Sequence, residues 1–332
     1  MRRTWFWGAV FLALVLAGCD AGADTTTTVD DGDPEATTST TSEPDVTTTS
    51  EAEEEAFEVD GPIEPPPLED VSFSDPTNVD HKWFPLVPGT QLVFDGVTLD
   101  EGHEVLHRVI FTVTDLTKVI AGVNTVVIWD EDYQEGTSIE ALSGSSSPIV
   151  PMDLVETEIA FFAQDDEGNV WLMGEYPEEY EDGVFVGAPV WIHGTEGSKA
   201  GTLMPAGLQP ETPSFPQGWA PSVEWNDRGR VFEVGSQTCV PFDCYEDVLI
   251  VDEFNINEPT LFQVKYYAPG VGNVQVGFKG NDPEGETLEL VELRTLTSEE
   301  MAEARDAALA LEANAYEQSE VYLTTEPIEG PG

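Results

Sequence analysis

Positive charge is what this sequence has least of. Against 65 Asp and Glu it sets 12 Lys and Arg in 332 residues, a formal net charge of −53, and no Lys or Arg occurs between Thr4 and His81. A surface of that sign repels nucleic acid and anionic lipid headgroups, so nucleic-acid binding is excluded. Cysteine is scarce at 3 residues, and the 4 histidines stand at positions 81, 103, 107 and 193. No Gly-rich phosphate loop is present. The only serine-rich stretch, "SGSSSP" at Ser143 to Pro148, contains G-S-S instead of the G-x-S-x-G of a nucleophile elbow. Long apolar runs are missing too. The uncharged stretch from Thr4 to Gly18 falls short of the roughly 20 residues that a permanent membrane helix needs.

That short stretch has a meaning of its own. Arg2 and Arg3 precede it and "LAGC" closes it, the layout of a signal peptide over residues 1–18. The ending resembles the lipobox of bacterial lipoproteins. The resemblance implies that Cys19 receives a diacylglyceryl group and becomes the first residue after cleavage, which shifts the formal charge to −55 as Arg2 and Arg3 leave. Two or three acyl chains anchor stably where one would not. The expected location is the cell membrane, lipid-anchored on its extracytoplasmic face, with the lipid at Cys19 as the membrane partner.

Residues 19–72 read as a linker. Runs of Thr, few large apolar residues and seventeen acids between Asp20 and Asp70 cannot bury enough surface to offset the entropy of ordering. A β domain is expected over 73–296. Runs such as "RVIFTVT", "NTVVIW", "TEIAFFAQ", "DVLIVDEF" and "NVQVGF" are short and rich in Val, Ile and aromatics, with turn material such as "DDEGN" and "APGVGN" between them. About ten strands in an antiparallel meander are expected, folded as a sandwich or a strongly curved half-barrel sheet, so the class is mainly β. Residues 297–332 hold one C-terminal α-helix and a tail. Thr297 and Glu300 fit a capping box, and Met301, Ala304, Ala308, Leu311 and Ala315 form a stripe for packing on the sheet.

"GHEVLHRVIF" contains H-E-x-x-H, the zinc-protease spacing. On a helix the two histidines would share a face. On a strand, at about 3.3 Å per residue, they lie about 13 Å apart and cannot share an ion. Val109, Phe111 and Val113 alternate with Arg108, Ile110 and Thr112, so a strand is expected. The third histidine of the metzincin pattern is missing as well. His103 and His107 are therefore expected on the surface of an edge strand, with no metal and no cofactor.

In an exported chain Cys239 and Cys244, enclosing "VPFD" between two strand-like runs, are expected as a disulfide stapling a hairpin. Acidic clusters at Asp130 to Asp132, Asp165 to Asn169 and Pro177 to Asp182 lack the register of a calcium loop, and "DDEGN" reads as a hairpin turn. Among 65 acids, choosing a pair for glycoside hydrolysis decides nothing. Trp83, Trp219 and Trp225, near Pro- and Gly-rich segments, are candidate contacts for a glycan, an apolar ligand or an envelope protein, with anchoring in the core as the plainer alternative.

At "KWFPLVPGTQLVF" (Lys82 to Phe94), "FFAQDDEGNVWLMGE" (Phe161 to Glu175), "CYEDVLIVDEF" (Cys244 to Phe254) and "VKYYAPGVGNVQV" (Val264 to Val276) the chain resembles a family of exported domains common in actinobacteria. These open with F-P-L-x-P-G and close with Y-A-P-G-V-G, and the likeness covers about residues 80 to 292. It implies an architecture and no reaction. Pro88-Gly89 and Pro269-Gly270 suit type II turns on physical grounds alone. The expectation is thus a non-catalytic, membrane-anchored β domain for binding or a structural role in the cell envelope, with no catalytic residues. The alternatives are a carrier that encloses an apolar ligand in a half-barrel cavity, and a hydrolase or metal-dependent enzyme.

Overall fold

A computed structural model describes residues 59–100, 102–136 and 151–331. The signal segment, Cys19, most of the linker and "SGSSSP" lie outside the described residues. The β domain opens with a small hairpin, β1 (Val79–His81) and β2 (Phe84–Leu86). Five long strands follow: β3 (Thr90–Asp100), β4 (His103–Ile120), β5 (Val123–Glu135), β6 (Met152–Gln164) and β7 (Val170–Glu181). Short pieces come next: β8 (Val184–Gly187), β9 (Trp191–Ile192), β10 (Lys199–Met204), β11 (Phe215–Pro216) and β12 (Gly218–Trp219). A second long series is β13 (Asp227–Cys239), β14 (Cys244–Asn255), β15 (Phe262–Ala268), β16 (Gly272–Lys279) and β17 (Thr287–Thr295), and the helix α1 (Ser298–Gln318) follows it.

Everything but the first hairpin belongs to a 15-stranded antiparallel sheet. Its path runs β11-β13-β14-β15-β16-β17-β3-β4-β5-β6-β7-β10-β12, with β8 and β9 pairing with β7. The two ends of that path, β11 and β12, are separated in sequence only by Gln217, whose N–H donates to the Asp227 carbonyl at 2.9 Å. A sheet whose first and last strands are sequence neighbours is curled into a nearly closed barrel. This is the half-barrel alternative, not the sandwich. Two-residue strands carry no sequence period, so the count of about ten missed the short pieces that bring the ends together.

Period-two alternation gives the barrel an inside and an outside. Leu92, Phe94, Val109, Phe111, Val126, Ile128, Leu249, Val251, Leu288 and Leu290 belong to the inner cluster. Val127, Ile159, Phe161, Trp171 and Met173 face outward, where Ala308, Leu311 and Ala315 of α1 cover them. The capping box at Thr297 and Glu300 is formed, and all five residues of the expected stripe are buried. The tail returns to the sheet, bridging Glu329 to Thr117.

Residues 59–72, expected as the end of the linker, pack on the barrel. Ser214 N–H donates to Asp60, the buried Arg228 guanidinium donates to the carbonyls of Pro62 and Ile63, and Leu68 is buried. The Arg228 fork needs acceptors once buried, and this segment's carbonyls supply them.

Cys239 and Cys244 form the disulfide, a register pair closing the β13–β14 hairpin. So short a closed loop constrains the unfolded chain little. Reduction is expected to lower the unfolding free energy by about 2 kcal/mol, read as a lower urea midpoint at unchanged slope.

The two resemblance motifs meet in space. Val87 to Thr90 and Ala268 to Val271 each close a turn by an i to i+3 hydrogen bond, with Gly89 at φ +91° and Gly270 at +73°. Gly270 N–H donates to the Lys82 carbonyl, and the Phe84 and Tyr267 rings lie 6.2 Å apart. Together they plug the apolar end of the barrel.

Candidate functional site

H-E-x-x-H lies on β4, so the backbone is extended and the zincin arrangement is not formed. The edge-strand surface placement is corrected, however. β4 is an internal strand, paired with β3 and with β5. His103 is exposed as expected, but His107 is only 2% exposed and points into the barrel opposite Gly96 of β3. Its Nε2 lies 2.5 Å from Asp132 Oδ1 and its Nδ1 lies 3.1 Å from Glu286 Oε1. Burial opposes its charge, but those two carboxylates outweigh it and raise His107 to about 10. It is a fixed cation.

His107 is one member of a larger constellation. Inward positions on three neighbouring strands turn from apolar to acidic along their length. On β5, Val126 and Ile128 are followed by Asp130 and Asp132; on β6, Glu156 and Glu158 precede Ala160 and Phe162. β7 adds Glu175 and Glu179. The register sets Asp130 directly opposite Glu158, and Asp132 opposite Glu156, which in turn faces Glu179. From the other wall come Asp227 on β13, Glu253 on β14 and Glu286 before β17. All nine are buried, and the ionisable cations facing them are His107 and Lys265.

Like charges directly opposite on adjacent strands destabilise a sheet. At about 5 Å and an effective dielectric of 20 each such pair costs about 3 kcal/mol if both ionise. Several of these carboxyls are shifted toward the protonated form. Burial first, then Asp132, Glu179, Asp130 and Glu175, pushes Glu156 well above the carboxylate range. Glu158, Asp130 and Glu175 are raised in the same way, burial leading in each. Burial brings Asp227 to about 7 and Glu179 to about 8.

Lys265 of β15 is the hub. Its Nζ is 2.5 Å from Glu253 Oε2, and its charge also acts on Asp130, Glu158, Glu175, Asp227 and Glu286. Glu253 further accepts from Gln217 and from the Tyr267 hydroxyl, while Glu175 accepts from Trp191 Nε1 at 2.8 Å. Among the described residues four buried carboxylate oxygens have no hydrogen-bond partner: Asp132 Oδ2, Glu158 Oε2, Glu175 Oε1 and Glu179 Oε1. A buried acceptor left unpaired costs about 1–3 kcal/mol.

This layer is not read from the sequence, where Asp130 to Asp132 and Pro177 to Asp182 are weighed only as calcium loops. The signal that could have found it is parity, because Asp130 and Asp132 continue the alternation of Val126 and Ile128. The other cluster, "DDEGN", is the expected hairpin turn: Gly168 takes φ +91°, and Asp165 Oδ1 accepts from the N–H of Glu167 and Asn169.

The tryptophans resolve toward the core. Trp83 and Trp225 are buried, Trp225 stacking on Trp191 with centroids 4.8 Å apart, and Trp219 is half-buried in β12. None of them forms an open platform. At the apolar end the void beside Phe84, Leu92, Phe94 and Phe111 measures about 10 Å³, room for about one water. A groove of about 230 Å³ lies outside it between the two motif turns, with Arg294 on its rim. Arg294 is already tied to Glu300 and Gln91. Neither space would enclose a lipid-sized molecule.

No family model matches the chain, and no curated protein does. Two solved structures align with it. One, from Bacteroides fragilis, is named as exported and of YmcC-like fold; it has a TM-score of 0.35 and 13% identity over 65% of this chain and 100% of that chain. The other, from Parabacteroides distasonis, is named as a lipoprotein, with a TM-score of 0.32 and 9% identity over 64% and 99%. Likenesses this distant carry no argument about activity.

Proposed function

We propose that this chain is a membrane-anchored, outward-facing lipoprotein whose β-barrel domain binds a cationic ligand and does no chemistry on it. Cys19 carries the lipid, and the acidic Thr-rich segment after it spaces the barrel from the membrane. The observation that supports binding is the barrel interior. Among the described residues nine buried carboxyls face two cations, and four of their oxygens are left without partners. A low-dielectric interior with that charge excess either holds protons or attracts positive charge.

As a base His107 is taken out of play, being held cationic between two carboxylates. The apolar-carrier alternative has no room at the filled end of the barrel.

Native mass spectrometry of the protein extracted from its own membrane is expected to show a small cationic adduct and a diacylglyceryl group on the Cys19 peptide. Recovery free of any adduct at pH 8, from gentle detergent without added salt, would overturn the binding reading. A Cys19→Ala chain that stays with the membrane would overturn the anchor.

A further inference from the structure

The cation itself can be specified further. Resting on the cation-binding reading above, we propose that the barrel interior binds a linear diamine or polyamine, a chain of methylenes carrying two or more ammonium groups, in preference to a metal ion.

Three observations favour this chemistry. The first concerns convergence. A divalent metal collects six or more oxygens at about 2.0–2.6 Å. Among the described residues no group of three His, Cys, Asp or Glu side chains could hold an ion. The carboxyls form a grid instead. Asp130 with Glu158 makes one cross-strand row and Asp132 with Glu156 the next. Rows two residues apart along a strand are separated by about 6.8 Å, and neighbouring strands by about 4.8 Å. Ammonium groups joined by three or four methylenes stand about 5–6 Å apart when extended, by standard bond lengths, so one molecule spans two rows.

The second is that the protein already places such a group here. Lys265 brings a primary alkylammonium into the interior, 2% exposed, where its charge is shared among carboxylates of several strands. An ammonium carries three donors and tolerates acceptors at hydrogen-bond distance, without the close convergence that a metal demands.

The third is the set of unpartnered oxygens. Asp132 Oδ2, Glu158 Oε2, Glu175 Oε1 and Glu179 Oε1 belong to β5, β6 and β7, and each residue is at least nine-tenths buried. They lie on the wall opposite the Lys265–Glu253 pair, so a second and third ammonium find acceptors that Lys265 leaves unused. Trp191, which donates to Glu175, gives the methylene chain an apolar neighbour.

The test uses the full chain at 150 mM salt, which screens attraction to the acidic exterior. Spermidine, putrescine, calcium and magnesium are titrated separately by calorimetry and by thermal melting at pH 8 and pH 5. The expected result at pH 8 is saturable one-to-one binding of spermidine with a raised melting temperature. At pH 5, where protons compete for the same carboxyls, binding is weaker by tenfold or more. The double variant Glu158→Gln with Glu179→Gln keeps shape and exterior charge, leaves the Asp132–His107 pair intact and relieves repulsion. It is expected to melt no lower than the parent at pH 8 while losing at least tenfold in spermidine affinity. Unchanged affinity in that variant, at intact stability, would place amine binding outside the barrel and overturn the proposal. Tight calcium or magnesium binding with no response to either amine would overturn the amine and leave the cation reading standing. No saturable binding of any of the four at either pH would sink both.

Discussion

Between pH 5 and pH 9 the melting temperature of the ligand-free protein is expected to fall by at least about 10 °C. The sign follows from Asp130, Glu156, Glu158, Glu175, Glu179, Asp227 and Glu286, whose folded-state values are raised. Such a group contributes stability that is complete below its unfolded value and is lost as the pH climbs through its folded value. For Asp227 the loss runs from about pH 4 to about 7, and for Glu179 it extends to about 8. Displacing Asp227 alone from 3.8 to about 7 is worth about 4 kcal/mol. Within pH 5 to 9 about two pH units of the Asp227 displacement and about three of the Glu179 displacement are lost, about 7 kcal/mol together. At about 2–4 °C per kcal/mol for a domain of this size, the two account for the shift. His107, raised to about 10, adds a loss of the same sign at higher pH. His81 and His193 are lowered by burial and act in the opposite sense below about pH 6.5, which softens the acid side of the curve. Calorimetric melts in buffers free of amines and divalent ions measure it. A flat or rising profile from pH 5 to 9 would contradict the buried placement of these acids. The variant Glu158→Gln is expected to flatten the curve, because an amide needs no proton to stay neutral.

Glu312→Ala is expected to cost about 3–5 kcal/mol, the usual penalty for stripping the partner from a buried ion. Lys118 of β4 is fully buried, with its Nζ 2.9 Å from Glu312 Oε1 of α1 and a second hydrogen bond to the Glu326 carbonyl. Its ammonium also lies 4.4 Å from the centroid of the Tyr322 ring. Glu312 accepts from the Tyr322 hydroxyl and from Ile328 N–H as well, so one carboxylate holds sheet, helix and tail together. Its loss strands the Lys118 charge and frees residues 319–331. Two readouts separate those effects: a lower urea midpoint reports the charge, and faster amide exchange at Ile328 and Glu329 reports the tail. The pair Lys118→Met with Glu312→Leu removes both charges and is expected to recover most of the lost stability. If the double variant were no better than Glu312→Ala, the buried ion pair would not be the cause.

Much of the architecture was legible because it rests on local pattern. The alternation of Val109, Phe111 and Val113 fixed the strand through His103 and His107, and the Thr297–Glu300 box fixed the start of α1. Cys239 and Cys244 needed only an oxidising setting and a hairpin. What escaped notice depends on non-local closure. "VVIW" is apolar on both faces because α1 covers the outside and the barrel the inside, so the stretch does not reveal which way Asp130 and Asp132 point. In a chain this acidic, a carboxylate reads as solvated until the register places it opposite another. His107 was misjudged for the same reason: its partners Asp132 and Glu286 are 25 and 179 residues away in sequence. Residues 59–72 look like linker by composition and are ordered by one buried guanidinium, Arg228, that no local pattern announces.

The pairing of β17 with β3 sets a timetable for folding. β3 is the first long strand to leave the ribosome and β17 the last, so one flank of β3 stays open, with its N–H and C=O groups unpaired, until synthesis of the domain is nearly over. The seam at Gln217 waits likewise for β13 and β14. A ring assembled from contacts so far apart along the chain condenses late and slowly, which leaves the nascent polypeptide threadable for most of its production.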